Sequence, residues 1–435
     1  MSTKKGYKLV PWLFGKEIEI PEEWEVKKCS KILELKHGYQ FRDEDFIEGK
    51  KGIKIIKIGN LKQNGSIDSN NCSIISLDRR SDFLNIVINS GDVLMALTGA
   101  TLGKIILVPK INEILLQNYR VGNFLPKNDI NKNFLYYVLK NIFTQKQIWF
   151  LVNSNAQPNI GKEEFDKIKI ICPIFPEQQQ IATILSNVDS LIESTSKIIK
   201  NSKSLKTGLM HKLLTRGISH IKFKKVPWLF GKEIEIPEDW EIKMLDDVGN
   251  LSAGGTPSRF NLEYWNNGTI PWLSSGEIRN NIITESDEKI TSLGLKESAS
   301  RLFPKGTVLI AITGQGLTRG RTALLSIDAS SNQSVIGIIC KKDVIYNLFL
   351  WYYLQNEYWK LRSISQGSNQ AGLNLNLLKT YQIILPSIHE QQKIATILSN
   401  IDAQINSQTQ YKDKLERLKK SLMQKLLTGE VRVAI

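Results

Sequence analysis

The stretch from Val10 to Trp24 (VPWLFGKEIEIPEEW) returns from Val226 to Trp240 (VPWLFGKEIEIPEDW), the one change being Glu23 to Asp239. A second pair agrees in the same way, Glu177 to Asn187 (EQQQIATILSN) with Glu390 to Asn400 (EQQKIATILSN). A chain of 435 residues with matched lead-ins and matched tails is a duplication whose halves differ mainly in between. The repeat is far longer than the roughly 20–50 residues of solenoid units, so it predicts two similar domains related by a pseudo-twofold axis and not a stack. Two related modules predict two related ligands.

With 41% hydrophobic residues the chain can bury two sizeable cores. Its formal net charge of +15 points to a polyanionic partner, nucleic acid ahead of an anionic membrane surface. No apolar run approaches the ~20 residues of a spanning helix, and the N-terminal stretch has no signal-type apolar core, so a cytoplasmic protein with no membrane partner is expected. Cys29, Cys72, Cys172 and Cys340 stand apart with no Cys-x-x-Cys pair, which predicts reduced structural thiols and neither disulfides nor zinc.

The tail of each half carries the pattern of a long helix. From Ile181 onward apolar residues recur at heptad spacing, Ile181, Val188 and Leu209 in one series and Ile184, Leu191, Ile198 and Leu205 in the other. The second tail gives Ile394, Ile401, Leu415 and Leu422 with Ile397, Tyr411 and Leu418. Gly217 and Gly429 follow the periodic stretches as helix stops, and Pro176 and Pro386 lie near the starts. Helices of roughly 35–40 residues run about 50–60 Å, long enough to act as spacers. A surface helix packed on its own domain is the plainer reading of one such stripe. Two matching stripes can instead bury each other as an antiparallel coiled coil.

The bodies between, about 25–175 and 241–388, hold short apolar runs such as Ile53 to Ile58, Asp92 to Leu97 and Thr307 to Ile312, bounded by Gly, Asn, Ser and Pro. These predict strands and turns, with one amphipathic helix per body over 133–147 and 346–361. The fold class expected is α+β, two β-rich bodies joined by two long antiparallel helices.

Several fragments imitate catalytic signatures and fail on spacing. Gly99 to Lys104 (GATLGK) is one residue short of a phosphate loop and has Ile105 where a metal-binding Ser or Thr belongs. Pro237 to Lys243 (PEDWEIK) contains the acids and lysine of a metal-dependent nuclease, but crowded on one segment where such a site needs carboxylates converging from separate strands. A solvated turn anchored by Trp240 is expected there. No two prolines are adjacent, which excludes the Pro-Pro dipeptide of an amino-methyltransferase motif, and the four histidines are isolated in sequence, giving no triad or metal cluster. No enzyme, metal or cofactor is therefore expected.

Basic residues among small polar and aromatic ones remain. Arginine reads guanine edges, Asn and Gln read adenine, and Ser or Thr hold phosphate oxygens. On that chemistry the candidate DNA contacts are Arg42, Lys57, Arg79, Arg80, Lys104 and Arg120 in the first body. In the second they are Thr256, Ser258, Arg259, Ser274, Arg279, Asn280, Arg319 and Arg321. Singly each reads as a solvated surface charge; as a set on glycine-rich loops they match a DNA-facing surface.

The run Gly254 to Ser258 (GGTPS), the stretch Ile270 to Leu273 with Gly276 to Ile278, the run Gly306 to Ala311 with Gly314, and the doubled Glu-Gln-Gln-x-Ile-Ala start of a long helix together resemble the specificity subunit of type I restriction-modification systems. The resemblance covers nearly the whole chain. It implies two target recognition domains that each read one half of a split, asymmetric site in double-stranded DNA, and two long helices that set the distance between the halves. It further implies partner modification subunits, two of them, that methylate adenine, and restriction subunits that cleave DNA with ATP. The expected order is a first target recognition domain with its lead-in over 1–175, a spacer helix over 176–216, a second recognition domain over 217–388, a second spacer helix over 389–429 and a tail over 430–435. Lys36 to Phe41 (KHGYQF) departs from the GGTPS pattern, which fits a first domain reading a different sequence. A two-module transcription regulator and a membrane-surface scaffold compete with this reading. A regulator would carry a helix-turn-helix and form symmetric dimers, whereas here the frames agree and the bodies diverge.

Overall fold

The structure, a computed structural model, describes residues 4–49, 51–62, 65–127, 129–152, 158–314, 316–364 and 372–434. The chain divides into two compact units, Met1–Ser196 with Gln410–Ile435, and Lys197–Thr409. The repeated lead-in forms the same antiparallel hairpin in each, Tyr7–Pro11 on Glu17–Pro21 and Phe223–Pro227 on Glu233–Pro237. The hairpin ends at a tryptophan, Trp24 or Trp240, that is fully buried.

Each body is closed at its base by the strand that enters it pairing with the strand that leaves it. Glu25–Lys28 lies antiparallel to Lys169–Cys172, and Glu241–Met244 to Gln382–Leu385. Between them the first body holds two four-stranded sheets. One has the order Leu33–His37, Val121–Pro126, Val93–Ala96, Ile105–Leu107, and the other Ser73–Ile75, Ile53–Ile56, Leu115–Gln117, Val87–Ile88. The second body holds a five-stranded sheet, Gly249–Ala253, Val335–Cys340, Val308–Ala311, Thr322–Leu325 and Asn281–Ile283, and a three-stranded one, Glu288–Ile290, Ile270–Leu273 and Ser330–Ser331. The apolar runs around Ile55, Leu94 and Leu309 are inner strands; those around Leu94 and Leu309 are buried on both faces, which is why they read as continuous, while Lys54 interrupts the one around Ile55 and pairs with Glu113 at 2.6 Å.

The single helix expected in each body is two short ones. Lys132–Lys140 is separated from Ile142–Leu151 by Asn141, whose side chain accepts from Phe143 N and so caps a new helix. Asn347–Asn356 stops before Tyr358–Ile364 at Glu357, a buried carboxylate that accepts from the Tyr381 hydroxyl at 2.8 Å and pairs with Lys360 at 2.8 Å. A polar side chain turned inward bends the chain where periodicity alone would continue it.

The long helices span Phe175–Arg216 and Ile388–Thr428. Each ends at a glycine in the left-handed region, Gly217 at φ +67° and Gly429 at φ +78°. A Cβ on Gly217 would come within 2.7 Å of the Trp240 ring, and one on Gly429 within 2.4 Å of Pro21, so these turns also require the absence of a side chain.

The buried face follows Ile181, Leu185, Val188 and Thr195 in the first unit and Ile394, Leu398 and Ile405 in the second, with Leu213 and Leu415 buried near the other ends. Ile184, Leu209, Ile401 and Leu422 are half-buried. The second predicted series is turned outward: Leu191, Ile198, Leu205, Ile397, Tyr411 and Leu418 are exposed. The sequence offers apolar residues both three and four positions beyond Ile181 and Ile394, and the fold buries the later ones, Leu185 and Leu398.

Within each unit the two long helices run antiparallel. In the first, Asp189 meets Lys419 and Glu177 meets Arg432; in the second, Lys206 meets Asp402 at 2.7 Å and Gly217 lies beside Glu390. Tyr137 donates to Asp189 at 2.9 Å and Tyr352 to Asp402 at 2.8 Å. Burial first, and then the neighbouring carboxylate, push both phenols well above their usual range, so they stay protonated donors.

The start of each long helix carries a buried glutamate that ties the unit together. Glu177 is wholly buried, accepts from Trp24 Nε1 and is paired by the Arg432 guanidinium, which also reaches Glu23 at 3.1 Å. Glu390 accepts from Trp240 Nε1 at 2.9 Å and Ile218 N at 2.8 Å, and His220 stands where Arg432 does, 2.9 Å from Glu390 and 3.3 Å from Asp239. Removing the cation strands a buried carboxylate. Arg432→Ala should cost about 3 kcal/mol, the low end of the range for a buried pair because the arginine is partly exposed. Urea denaturation measures this, and Glu177→Gln in the same background should restore part of the loss.

Candidate nucleic-acid interface

The candidate contacts of the first body fall into two classes. Arg79 is committed internally, 2.8 Å from Asp45 and stacked on Phe83 at 5.0 Å. The Arg42 backbone N–H, and then Arg79, hold the Asp45 carboxyl below its usual range. Lys57 donates to Ser73 Oγ at 2.7 Å and covers Phe46, and Lys104 donates to Leu61 O at 3.0 Å. Arg42, Arg80 and Arg120 are exposed, Arg42 beside Glu44 at 3.6 Å.

In the second body Arg259 is the most firmly held of the set. Its two Nη atoms donate to Glu288 at 2.6 and 2.8 Å, and the guanidinium lies 3.6 Å over Trp265 and 5.0 Å from Trp272. The Arg259 hydrogen bond, ahead of its charge, lowers the Glu288 carboxyl below its usual range. Ser274 is turned onto Glu277 at 3.0 Å, and Asn280, at φ +61°, exchanges hydrogen bonds with the Thr322 backbone at 2.8 and 3.0 Å. Both shape their loops through these bonds, Ser274 half-buried and Asn280 exposed. Thr256 Oγ1 donates to Gln333 Oε1 at 2.6 Å, while Ser258 and Arg279 are exposed. Arg319 and Arg321 are half-buried; the Arg319 carbonyl accepts from Arg362 at 2.9 Å.

The loop after the first body strand is anchored alike in both units despite its different sequence. A Cβ on Gly38 would lie 2.0 Å from Gln117 O, and one on Gly254 2.3 Å from Ser331 O. Glycine is required by close approach at both places, so KHGYQF keeps the anchor of the GGTPS loop and changes what it presents.

The imitations of catalytic motifs resolve into structure. Gly99–Thr101 is a short 3-10 turn that leads into the strand Ile105–Leu107, not into a helix whose N-terminus could hold phosphate. Pro237 and Glu241–Met244 lie on strands flanking the Trp240 turn. His220, isolated in sequence, does meet Asp239 and Glu390, but through opposite ring nitrogens. One ligand atom from each of the three lies within 4.8 Å of the others, so the fold brings together a group that sequence spacing did not show, in which the ring also serves as the hydrogen-bonding partner of the buried Glu390. Burial pushes Cys172 up to about 11 and Cys340 up to about 12, as for inert structural thiols. Among the described residues no helix is long and apolar enough to cross a membrane.

Arg259 therefore builds the loop. Arg259→Ala should lower stability by about 1–2 kcal/mol through the lost ring stacking and ion pair. Thermal unfolding measures that loss, and the DNA sequence preference should stay as it was.

Two stretches, residues 21–202 and 237–417, match the model of the type I restriction modification DNA specificity domain. The type I restriction enzyme MjaVIII specificity subunit of Methanocaldococcus jannaschii is 28% identical over 441 residues, covering 96% of this chain and 95% of that protein. The EcoR124I/EcoR124II specificity subunit of Escherichia coli is 27% identical over 290 residues, covering 65% of this chain and 67% of that one. In fold, the S subunit of a type I restriction-modification system from M. genitalium superposes with a TM-score of 0.57 at 16% identity, over 93% of this chain and 96% of its own. The chain belongs to the type I DNA specificity family, and its part in a restriction-modification system is sequence specificity and not catalysis.

Proposed function

We propose that this member of the type I specificity family reads a bipartite, asymmetric DNA site, each body reading one half. The observation that carries this is the contrast between frame and loop. The hairpin, the tryptophan, the buried glutamate and the glycine anchor recur in both units, whereas the residues on the loops do not. A symmetric site would need identical readers. Exposed Arg42, Arg80, Arg120, Ser258 and Arg279 supply phosphate and base contacts, and the long helices set the spacer between half-sites. The recognition domains are the bodies over 1–175 and 217–388, with the helices as a separate element.

Two modification subunits and the restriction subunits complete the complex, which acts on chromosomal and incoming DNA in the cytoplasm. Support for two comes from the outward faces of the long helices. The first unit exposes Leu191, Tyr411 and Leu418, and the second Ile198, Leu205 and Ile397. Each unit thus offers its own apolar strip, and a repeated strip calls for a repeated partner.

The test is exchange of residues 241–388 for the corresponding body of a relative, followed by mapping of methylated adenines in the assembled complex. One half-site should change, while the other half-site and the spacer stay the same. Changes in both halves would show that the bodies do not read independently. Leu191→Glu with Leu418→Glu should weaken capture of the modification subunit about 10-fold or more, the scale of an interface hot spot, without altering the melting of the free chain. Pull-down of the partner and circular dichroism of the variant check the two parts.

A further inference from the structure

One turn has the same backbone in both units and different outward side chains. It joins Leu115–Gln117 to Val121–Pro126 in the first unit and Ser330–Ser331 to Val335–Cys340 in the second. Asn118 O accepts from Val121 N at 2.9 Å and its Oδ1 from Arg120 N at 3.2 Å; Asn332 O accepts from Val335 N at 3.2 Å and its Oδ1 from Ser334 N at 3.0 Å. The asparagine side chain builds the turn each time. The two positions it leaves free are Tyr119 and Arg120 in one unit, Gln333 and Ser334 in the other.

Those side chains are posed by their own units. Arg120 Nε donates to the Tyr119 hydroxyl at 2.6 Å and the guanidinium leans over the Tyr119 ring at 5.2 Å. Among the described residues nothing accepts from its Nη atoms, so the pair of donors faces out as a fork. It borders a cleft of about 370 Å³ shared with His37, Thr98 and Asn159, where Thr98 Oγ1 is buried without a partner. In the second unit Thr256 Oγ1 donates to Gln333 Oε1 at 2.6 Å, which fixes the amide of an exposed side chain while leaving Oε1 a free lone pair and Nε2 its protons.

We propose that this turn is the base-reading element of each half, with Arg120 reading a guanine through O6 and N7 and Gln333 reading an adenine through N6 and N7. The assignment rests on the reading of the chain as a bipartite DNA specificity subunit. Two forked groups stand on the same turn at neighbouring positions, Gln333 in the place of Tyr119 and Arg120 in the place of Ser334. What marks the turn as a reader is the pattern it presents: a fork of two Nη donors on Arg120, and on Gln333 an acceptor beside a donor, each matched to two adjacent groups on one base edge.

The experiment uses the complex assembled with its modification subunits, with methylated sequences mapped genome-wide. Arg120→Ala should relax one G·C position in one half-site, with discrimination there falling about 10-fold or more, and leave the other half untouched. Gln333→Ala should do the same at one A·T position of the other half. The unmutated complex gives a second test that does not depend on a variant folding: 7-deazaguanine at the assigned position, which lacks the N7 acceptor, should weaken its binding to a synthetic duplex by a similar factor. An Arg120→Ala complex that methylates an unchanged site, a loss spread equally over all sequences, or indifference to 7-deazaguanine would overturn the assignment. If instead the unmutated complex follows no split sequence at all, the reading beneath the assignment fails, and the assignment with it.

Discussion

A carboxylate buried at the first turn of each long helix is the interaction on which the rest of each unit depends. Taking Glu177 or Glu390 out of water is costly unless its oxygens are satisfied, and the satisfying groups come from parts of the chain distant in sequence. Trp24 or Trp240 donates from the lead-in hairpin, and a second partner, Arg432 or His220, comes from just past the end of the opposite long helix. One residue thereby fixes where the hairpin ends, where the body begins and where the other helix must stop. The glycines after the helices follow from this, because only a left-handed residue without a side chain lets the chain turn back toward the carboxylate. The near-identity of VPWLFGKEIEIPEEW and its copy is thus explained by what Trp24 and Trp240 must reach.

Once the base of a body is closed in this way, its loops are free to differ. The strands beneath them, buried on both faces, leave little room for drift, and the turn at Asn118 or Asn332 is built by its own asparagine. Preorganisation at that level means a change of outward side chain costs little stability. The ordering entropy that a floppy loop would lose on binding has already been spent in folding. The partners of the glutamates make the complementary point. Arginine serves in one unit and histidine in the other, because that position asks for a side-chain nitrogen of the right reach and nothing more specific.

Much of this was legible in the sequence, and what was not has identifiable causes. The duplication, the strands around Ile55, Leu94 and Leu309, and both long helices are written in repeats and periodicity, which report local geometry and burial. The choice of which helix stripe lies inside was not, because the chain is apolar at adjacent positions and only tertiary packing selects Leu185 over Ile184. The break at Glu357 was hidden for the same reason: an acid in a helical pattern reads as a solvated face, and its burial depends on Tyr381, which is brought to it by the fold. Among the candidate contacts, composition could not separate Arg259, spent on Glu288 and two indole rings, from Arg120, whose outer donors are unspent. Tyr119 and Gln333 drew no notice, since neither belongs to a motif. The available signal was their place, just ahead of a buried strand in matched frames.

Duplication turns that limit into a means of inference. In a single domain, a buried residue at a tight turn and an exposed one beside it differ only in accessibility, and nothing distinguishes a reader from an ordinary surface group. With two copies on one scaffold, a physical criterion appears: positions that must satisfy the same backbone geometry stay the same, as Gly38 and Gly254 do, while positions that answer to an outside ligand are free to part. Donor and acceptor pattern sharpens the criterion. A group facing phosphate need only donate, whereas a group facing a base edge should change its pattern of donors and acceptors with the base. The replacement of Tyr119 and Arg120 by Gln333 and Ser334 on an unchanged turn is a change in the pattern of donors and acceptors, which is what reading two different base edges requires.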